Sequence, residues 1–137
     1  MSRKRPKRGR EESITLHHGT AGATLEAVRA EGMKAAGSEE GLLMFEEPEL
    51  ARPHAVAAAA LLAHNGREDP TGLIVTARVR RAVAKPEPSV PGAYWVRGRV
   101  KPKWITALSV FDASEELADP EFVADMASRF DFEGCHE

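Results

Sequence analysis

Histidine is the side chain best suited to proton and hydrogen-bond chemistry near neutral pH. The sequence places two of its five side by side, in His17-His18-Gly19-Thr20. An imidazole followed by a glycine and a hydroxyl can grip a ligand, because the ring offers a donor and an acceptor and the glycine lets a backbone come close. The plain alternative is a satisfied histidine at a strand end, with Gly19 serving only a turn. The other histidines, at 54, 64 and 136, have no HExxH or Cys/His spacing that would bring three ligands to one metal, so no metal site is expected. Neither GxxxxGK[ST] nor GxGxxG occurs, which excludes the phosphate loops of P-loop and Rossmann proteins, and no GxSxG elbow supports serine hydrolysis.

These residues must be held by elements that the pattern of apolar residues outlines. Ser13 to His17 alternates with Ile14 and Leu16 on one side, as a short strand does, and His18-Gly19-Thr20 is expected to leave that strand. Leu25 and Val28 fall at helical spacing between Thr24 and Glu31, with Gly32 placed to end the helix at positive φ. After a loop from Lys34 to Glu40, Gly41 to Phe45 has the length of a strand. Glu46-Glu47-Pro48-Glu49 then reads as a helix start, since proline suits the first helical position and carboxylates suit the positive end of the dipole. Pro53 is expected to restart or kink this segment. His54 to His64 has the highest helix propensity in the chain, and Asn65-Gly66 stops it. Its small alanines suit close packing on a sheet, and His54 and His64 are expected to be one partly exposed residue and one capping residue.

Gly72 to Val79 is β-branched and apolar and reads as a central strand. Residues 85 to 92, with three prolines, form an extended loop leading to a strand at 93 to 97. A turn at Val100 to Lys103 follows, then a strand from Trp104 to Phe111. Asp119-Pro120-Glu121 opens a last amphipathic helix through Phe130, with Phe122, Val123, Met126 and Phe130 as its apolar stripe. The order β-α-β-α-β-loop-β-β-α is that of an α+β domain without repeats.

Composition bounds the rest. At 137 residues, with 42% hydrophobic and 29% charged residues, the chain suits one globular domain with a real core. No apolar run approaches the length of a bilayer span and no secretory leader is apparent, so no membrane partner and a cytoplasmic location are expected. The single cysteine, Cys135, can make no internal disulfide. Charge is divided unevenly. Residues 1–10 carry six Lys/Arg and no acid, and because the whole chain carries −2 the remainder carries −8. The basic segment is expected to be disordered, with nucleic acid or protein as its partner. No aromatic residue is interleaved with its charges, so base stacking is not among its means.

Several pieces recur in one order: His18-Gly19-Thr20, the helix ending at Gly32-Met33, residues 41–55 beginning Gly-Leu-Leu-Met-Phe, the alanine-rich helix, the strand 72–79, and residues 93–110 beginning Ala-Tyr-Trp-Val. Together they resemble the ADP-ribosyltransferase fold, in the branch that includes poly(ADP-ribose) polymerases and diphtheria toxin. The resemblance covers about residues 14–111. It implies a single-domain α+β fold with a split β-sheet core and flanking helices, occupying 13–111. A basic tail, 1–12, precedes it and an acidic C-terminal helix and tail, 112–137, follow.

The resemblance also implies NAD as substrate and transfer of ADP-ribose to a protein, nucleic acid or small molecule, with NAD or ADP-ribose bound by the chain. His18 is then the catalytic-site histidine that hydrogen-bonds the adenosine ribose, and His18, Gly19, Thr20, Leu43 and Phe45 form the cofactor-binding set. Breaking the bond from ribose to nicotinamide develops oxocarbenium character, which a nearby carboxylate stabilises.

Two positions depart from the family. Its tyrosine position falls on Leu43, which can pack on a ring face but has no hydroxyl, with Phe45 an alternative aromatic face. Its glutamate position falls on Ala93, with Glu87 in the preceding loop as a substitute carboxylate. These departures support a second reading, a catalytically inactive binding or regulatory module on the same fold. A third is the related RNA 2′-phosphotransferases, which share His-Gly-Thr, lack the glutamate and rely on arginines. Arg97 and Arg99 could serve there, although position 17 is His where those enzymes carry arginine.

Overall fold

The computed structural model describes residues 12–34, 41–66 and 69–132. Expectations for residues 1–10, most of the 34–40 loop, Cys135 and the Phe130 side chain lie outside that description. Among the described residues there are six strands: β1 (Ser13–Ala21), β2 (Leu42–Phe45), β3 (Thr71–Arg80), β4 (Ala84–Pro86), β5 (Ala93–Val96) and β6 (Ile105–Asp112). Four α-helices accompany them: α1 (Leu25–Glu31), α2 (Pro48–His64), α3 (Ser114–Leu117) and α4 (Pro120–Phe132). The expected α+β class holds, and the strands form one antiparallel sheet in the order β4-β5-β2-β1-β3-β6.

Pairing in this sheet is uneven. β1 pairs with β3 along its whole length, from Ser13 opposite Arg80 to Ala21 opposite Gly72, and β2 pairs throughout with β5. Between β1 and β2 there is one bridge, His17 opposite Phe45. The sheet is therefore two three-stranded halves, β4-β5-β2 and β1-β3-β6, joined at a seam.

The two faces carry different layers. Alternation puts Ile14 and Leu16 of β1 on one face with Leu73, Val75, Ala77 and Val79 of β3. Leu42, Met44, Val96 and Val100 complete this main core, and Val28 of α1 and Met33 cover it. Leu16, Met44, Leu73 and Val75 are shut off from solvent, and such side chains each contribute about 1.5–3 kcal/mol by burial. On the opposite face α2 lies across β1 and β3, where Phe45, Ala51 and Ala93 form a smaller cluster. Ala51, Ala55, Ala59 and Ala60 are fully buried, so the alanine-rich sequence serves close packing as expected.

Pro53 does not restart α2, which runs unbroken from Pro48 to His64. The proline lacks the N–H that would reach the Glu49 carbonyl, a loss confined to one bond near the helix start, and the buried alanines on either side hold the segment in place. Gly32 ends α1 at φ 78° and Asn65-Gly66 ends α2, as expected. The loop at 85–92 is partly a strand, since Ala84, Lys85 and Pro86 pair with Val96, Trp95 and Tyr94. An edge strand tolerates Pro86 because one side of its ladder is open. The short helix α3 was not anticipated. Its first turn is held by Asp112, which accepts from the Ser114 N–H at 2.9 Å, and Asp119 caps α4 in the same manner at Glu121. α4 packs along α2, and among the described residues no helix is long and apolar enough to cross a membrane.

Candidate functional site

His18-Gly19-Thr20 does not leave the strand. All three residues are within β1, opposite Val75, Ile74 and Leu73. The reason lies in β3, whose apolar run extends far enough to pair β1 through Ala21. Gly19 is needed for helix packing: a Cβ there would collide with the Ala51 carbonyl oxygen and stand 2.7 Å from the Ala55 nitrogen. The glycine thus lets α2 sit directly on β1. This fixes the height of the helix over the seam, and with it the position of His54.

His18 occupies the seam itself. Its Nδ1 is 2.9 Å from the backbone oxygen of Leu43, and because a carbonyl can only accept, Nδ1 carries the proton. The side chain thereby supplies the donor that a continuous β1–β2 ladder would have taken from the backbone. Nε2 is left as an acceptor. Burial lowers the His18 pKa, opposed by the bond to Leu43 and reinforced by the charge of nearby His54. The ring is neutral at physiological pH.

The neighbouring side chains divide between the two faces. His17 shares a 2.8 Å hydrogen bond with Thr76 Oγ1, and burial lowers its pKa against the pull of Glu49 and Glu47. Leu43 is half-buried opposite Trp95 on β5. Phe45 is buried, and its ring centre lies 4.9 Å from that of His54, tilted by 34°, so α2 already covers one of its faces. Thr20 is half-buried two residues beyond His18 along β1. His18 therefore meets the Leu43 backbone, the Leu43 side chain joins Gly19 and Phe45 on the face that α2 covers, and Thr20 extends the same strand.

Ala93 is opposite Phe45 and presents no polar group. The substitute carboxylate expected there, Glu87, lies in the loop before it. The Glu87 N–H donates to the Ala93 carbonyl oxygen at 2.9 Å. The Glu87 carboxylate accepts from Trp95 Nε1 at 2.7 Å and from the Ser89 N–H at 3.0 Å, as well as from the Ser89 hydroxyl. The two donors of Ser89, followed by Trp95, hold its pKa at about 2. It is fully ionised at neutral pH. A second polar pair, Tyr94 Oη donating to Glu46 at 2.7 Å, links β5 to the start of α2, and the bond to the carboxylate raises the tyrosine pKa.

Arg97 and Arg99 follow β5 at the surface, and Arg99 donates to the Glu31 carbonyl at the end of α1. Its guanidinium serves a helix terminus. His64, the last residue of α2, is exposed, while Asn65 occupies the cap position. Among the described residues no group of three His, Cys, Asp or Glu is placed to hold a metal.

Sequence reasoning did not reach the contact of His54 with Phe45, nor the clamp of Trp95 and Ser89 on Glu87. The first joins residues on separate elements and has no local signal. The second does have one, since Glu87-Pro88-Ser89 is a spacing at which a carboxylate bonds the backbone two residues on.

Compared with protein-family models, with curated proteins and with solved structures, the chain matches none.

Proposed function

We propose that this chain is an ADP-ribosyltransferase-like protein that binds NAD at the seam between β1 and β2 and transfers ADP-ribose to a protein, nucleic-acid or small-molecule acceptor. The observation that carries the reading is the His18 ring bridging two sheet halves that share a single backbone bridge, with a free acceptor at Nε2. A neutral imidazole acceptor suits a ribose hydroxyl, which must donate. Gly19 lets α2 settle on β1, Thr20 adds a hydroxyl along the same strand, and Leu43 offers the histidine its backbone carbonyl while its side chain packs with Phe45, Ala51 and Ala93.

The residues present fit a bound nucleotide better at the ribose end than at the bond that breaks. NAD supplies the ADP-ribosyl group, and the chain must supply a negative charge near the ribose that loses nicotinamide. Ala93 has none. Glu87 is tied to Ala93 through its backbone N–H, and its ionised carboxylate is held in one place by Ser89 and Trp95. It is the residue assigned here to stabilise the developing positive charge.

A second reading keeps the fold and the nucleotide and removes the transfer. Leu43 and Ala93 favour it, standing where the family carries tyrosine and glutamate. Incubation with NAD labelled in the nicotinamide ring, and in parallel in the adenine, separates the two. Release of nicotinamide that Glu87→Gln reduces at least tenfold, together with adenine-labelled ADP-ribose recovered on an added acceptor, supports transfer, and NAD binding without release assigns the chain to the binding module.

A further inference from the structure

β3 outruns its outer neighbour. β6 pairs with β3 from Thr71 to Ala77, where Ile105 is the last partner, so Arg78, Val79 and Arg80 continue past the pairing. The turn Pro102–Trp104 passes beside them, and the space between is an open groove of about 570 Å³. Ser13, Arg78, Arg80, Lys103, Trp104 and Thr106 line it. Three cations, two hydroxyls and an indole meet there, and no carboxylate is among the lining residues. Glu12, adjoining Ser13 in the chain, is the neighbouring acid. The groove lies about five residues along β1 from His18, roughly 17 Å at strand rise, and so is separate from the seam.

Its parts are positioned. Arg78 Nε donates to Ser13 Oγ at 2.9 Å, which orients the guanidinium and leaves its outer nitrogens free to turn toward a ligand. Arg78 and Arg80 are two apart on one strand and share a face, with side chains roughly 7 Å apart. Trp104 packs against the main core, which fixes its ring, and Lys101 Nζ stands 5.6 Å from the ring centre. A row of cations beside an anchored aromatic ring matches a polyanion whose units carry both a charge and a π-face. A single bidentate pocket would suit an isolated phosphate or phosphopeptide better. In the sequence the six Lys/Arg of residues 1–10 precede Ser13, separated from it by Glu11 and Glu12.

We propose that the groove formed by Arg78, Arg80, Lys103 and Trp104 binds single-stranded nucleic acid, with phosphates along the cations and a base on the Trp104 indole. The stacked base takes the place that Lys101 holds, and the released ammonium turns to a phosphate. This reading does not depend on NAD binding at the seam.

The test uses the full chain and fluorescein-labelled single-stranded RNA and DNA of mixed sequence, with anisotropy recorded across a salt series. Arg80→Ala combined with Lys103→Ala, both exposed, is expected to weaken binding at least tenfold. It should also reduce the slope of log K against log salt by about 1.4, two phosphate contacts at about 0.7 each. A full-length variant with glutamine at the six basic positions of residues 1–10 is expected to keep groove-dependent binding. In a Trp95→Phe background, saturation with oligonucleotide is expected to quench Trp104 emission. Parent-like binding by the double variant overturns the proposal, as does binding that only the glutamine variant loses. Unchanged Trp104 emission overturns the stacking, and equal affinity for a phosphopeptide of matched charge overturns the choice of nucleic acid.

Discussion

His18 Nδ1 donates to the Leu43 carbonyl at 2.9 Å, across two strands whose backbones share one bridge. The histidine fills a place where a ladder hydrogen bond would otherwise run, and this fixes its tautomer. Holding that ring neutral has a consequence for stability. Burial lowers the His18 pKa below its ordinary 6.5, so the unfolded chain takes up a proton that the folded chain does not. Stability is therefore expected to fall as pH drops below about 6.5, until the folded-state pKa is passed, and to level off above 6.5. Urea midpoints measured from pH 4.5 to 8 should show this, with a limiting slope of up to about 1.4 kcal/mol per pH unit for each such histidine. His18→Gln should reduce the fall just below pH 6.5 and leave there the part that His17 contributes with the same sign, while the lowered carboxylates add their own fall near the acid end of the range.

Glu87 should titrate far below other glutamates. Carbon-detected NMR is expected to place its carboxyl near pH 2, because the two donors of Ser89 and the indole N–H favour the charged form. Ser89→Ala removes the hydroxyl and should move the titration upward. A Glu87 carboxyl titrating at its ordinary value of 4.5 would contradict the clamp.

Gly19→Ala is expected to be severely destabilising. The added methyl meets backbone atoms of α2 at Ala51 and Ala55, which cannot step aside as a flexible side chain would. A loss of about 3 kcal/mol is expected from overpacking, read as a lower thermal midpoint. A neutral result would show that α2 can lift from β1.

Arg52 joins α2 to β6 and to the short helix that follows it. Its guanidinium stands 4.5 Å from the centre of the Phe111 ring and 3.0 Å from Glu116 in α3. Both contacts are partly solvent-exposed, so Arg52→Ala should cost only about 1 kcal/mol. Urea denaturation of this variant is expected to shift in midpoint with little change in slope.

The sequence showed its elements wherever local rules act alone. Gly32 and Asn65-Gly66 ended helices, Asp119 opened one, and the apolar alternation of 72–79 marked the strand that became the partner of β1. What it hid were effects of distant residues. His18-Gly19-Thr20 looked like a turn because a glycine after two polar residues has the composition of one, and β3 was needed to hold it extended. Pro53 looked like a break, and burial of Ala51 and Ala55 kept the helix whole. At the candidate site, His18 was legible from its own short motif, whereas its acceptor is a backbone carbonyl on another strand, which side-chain identity cannot reveal. Glu87 was visible as a carboxylate in the right loop, and its fixation through Trp95 became apparent only from the pairing of β4 with β5.

Calorimetric titration of the full chain with NAD tests the central claim most directly. Saturable binding is expected, and His18→Ala, with its fold verified by circular dichroism, is expected to abolish it. Absence of binding by both NAD and ADP-ribose, or parent-like binding by the folded His18→Ala variant, would contradict a nucleotide site at the β1–β2 seam.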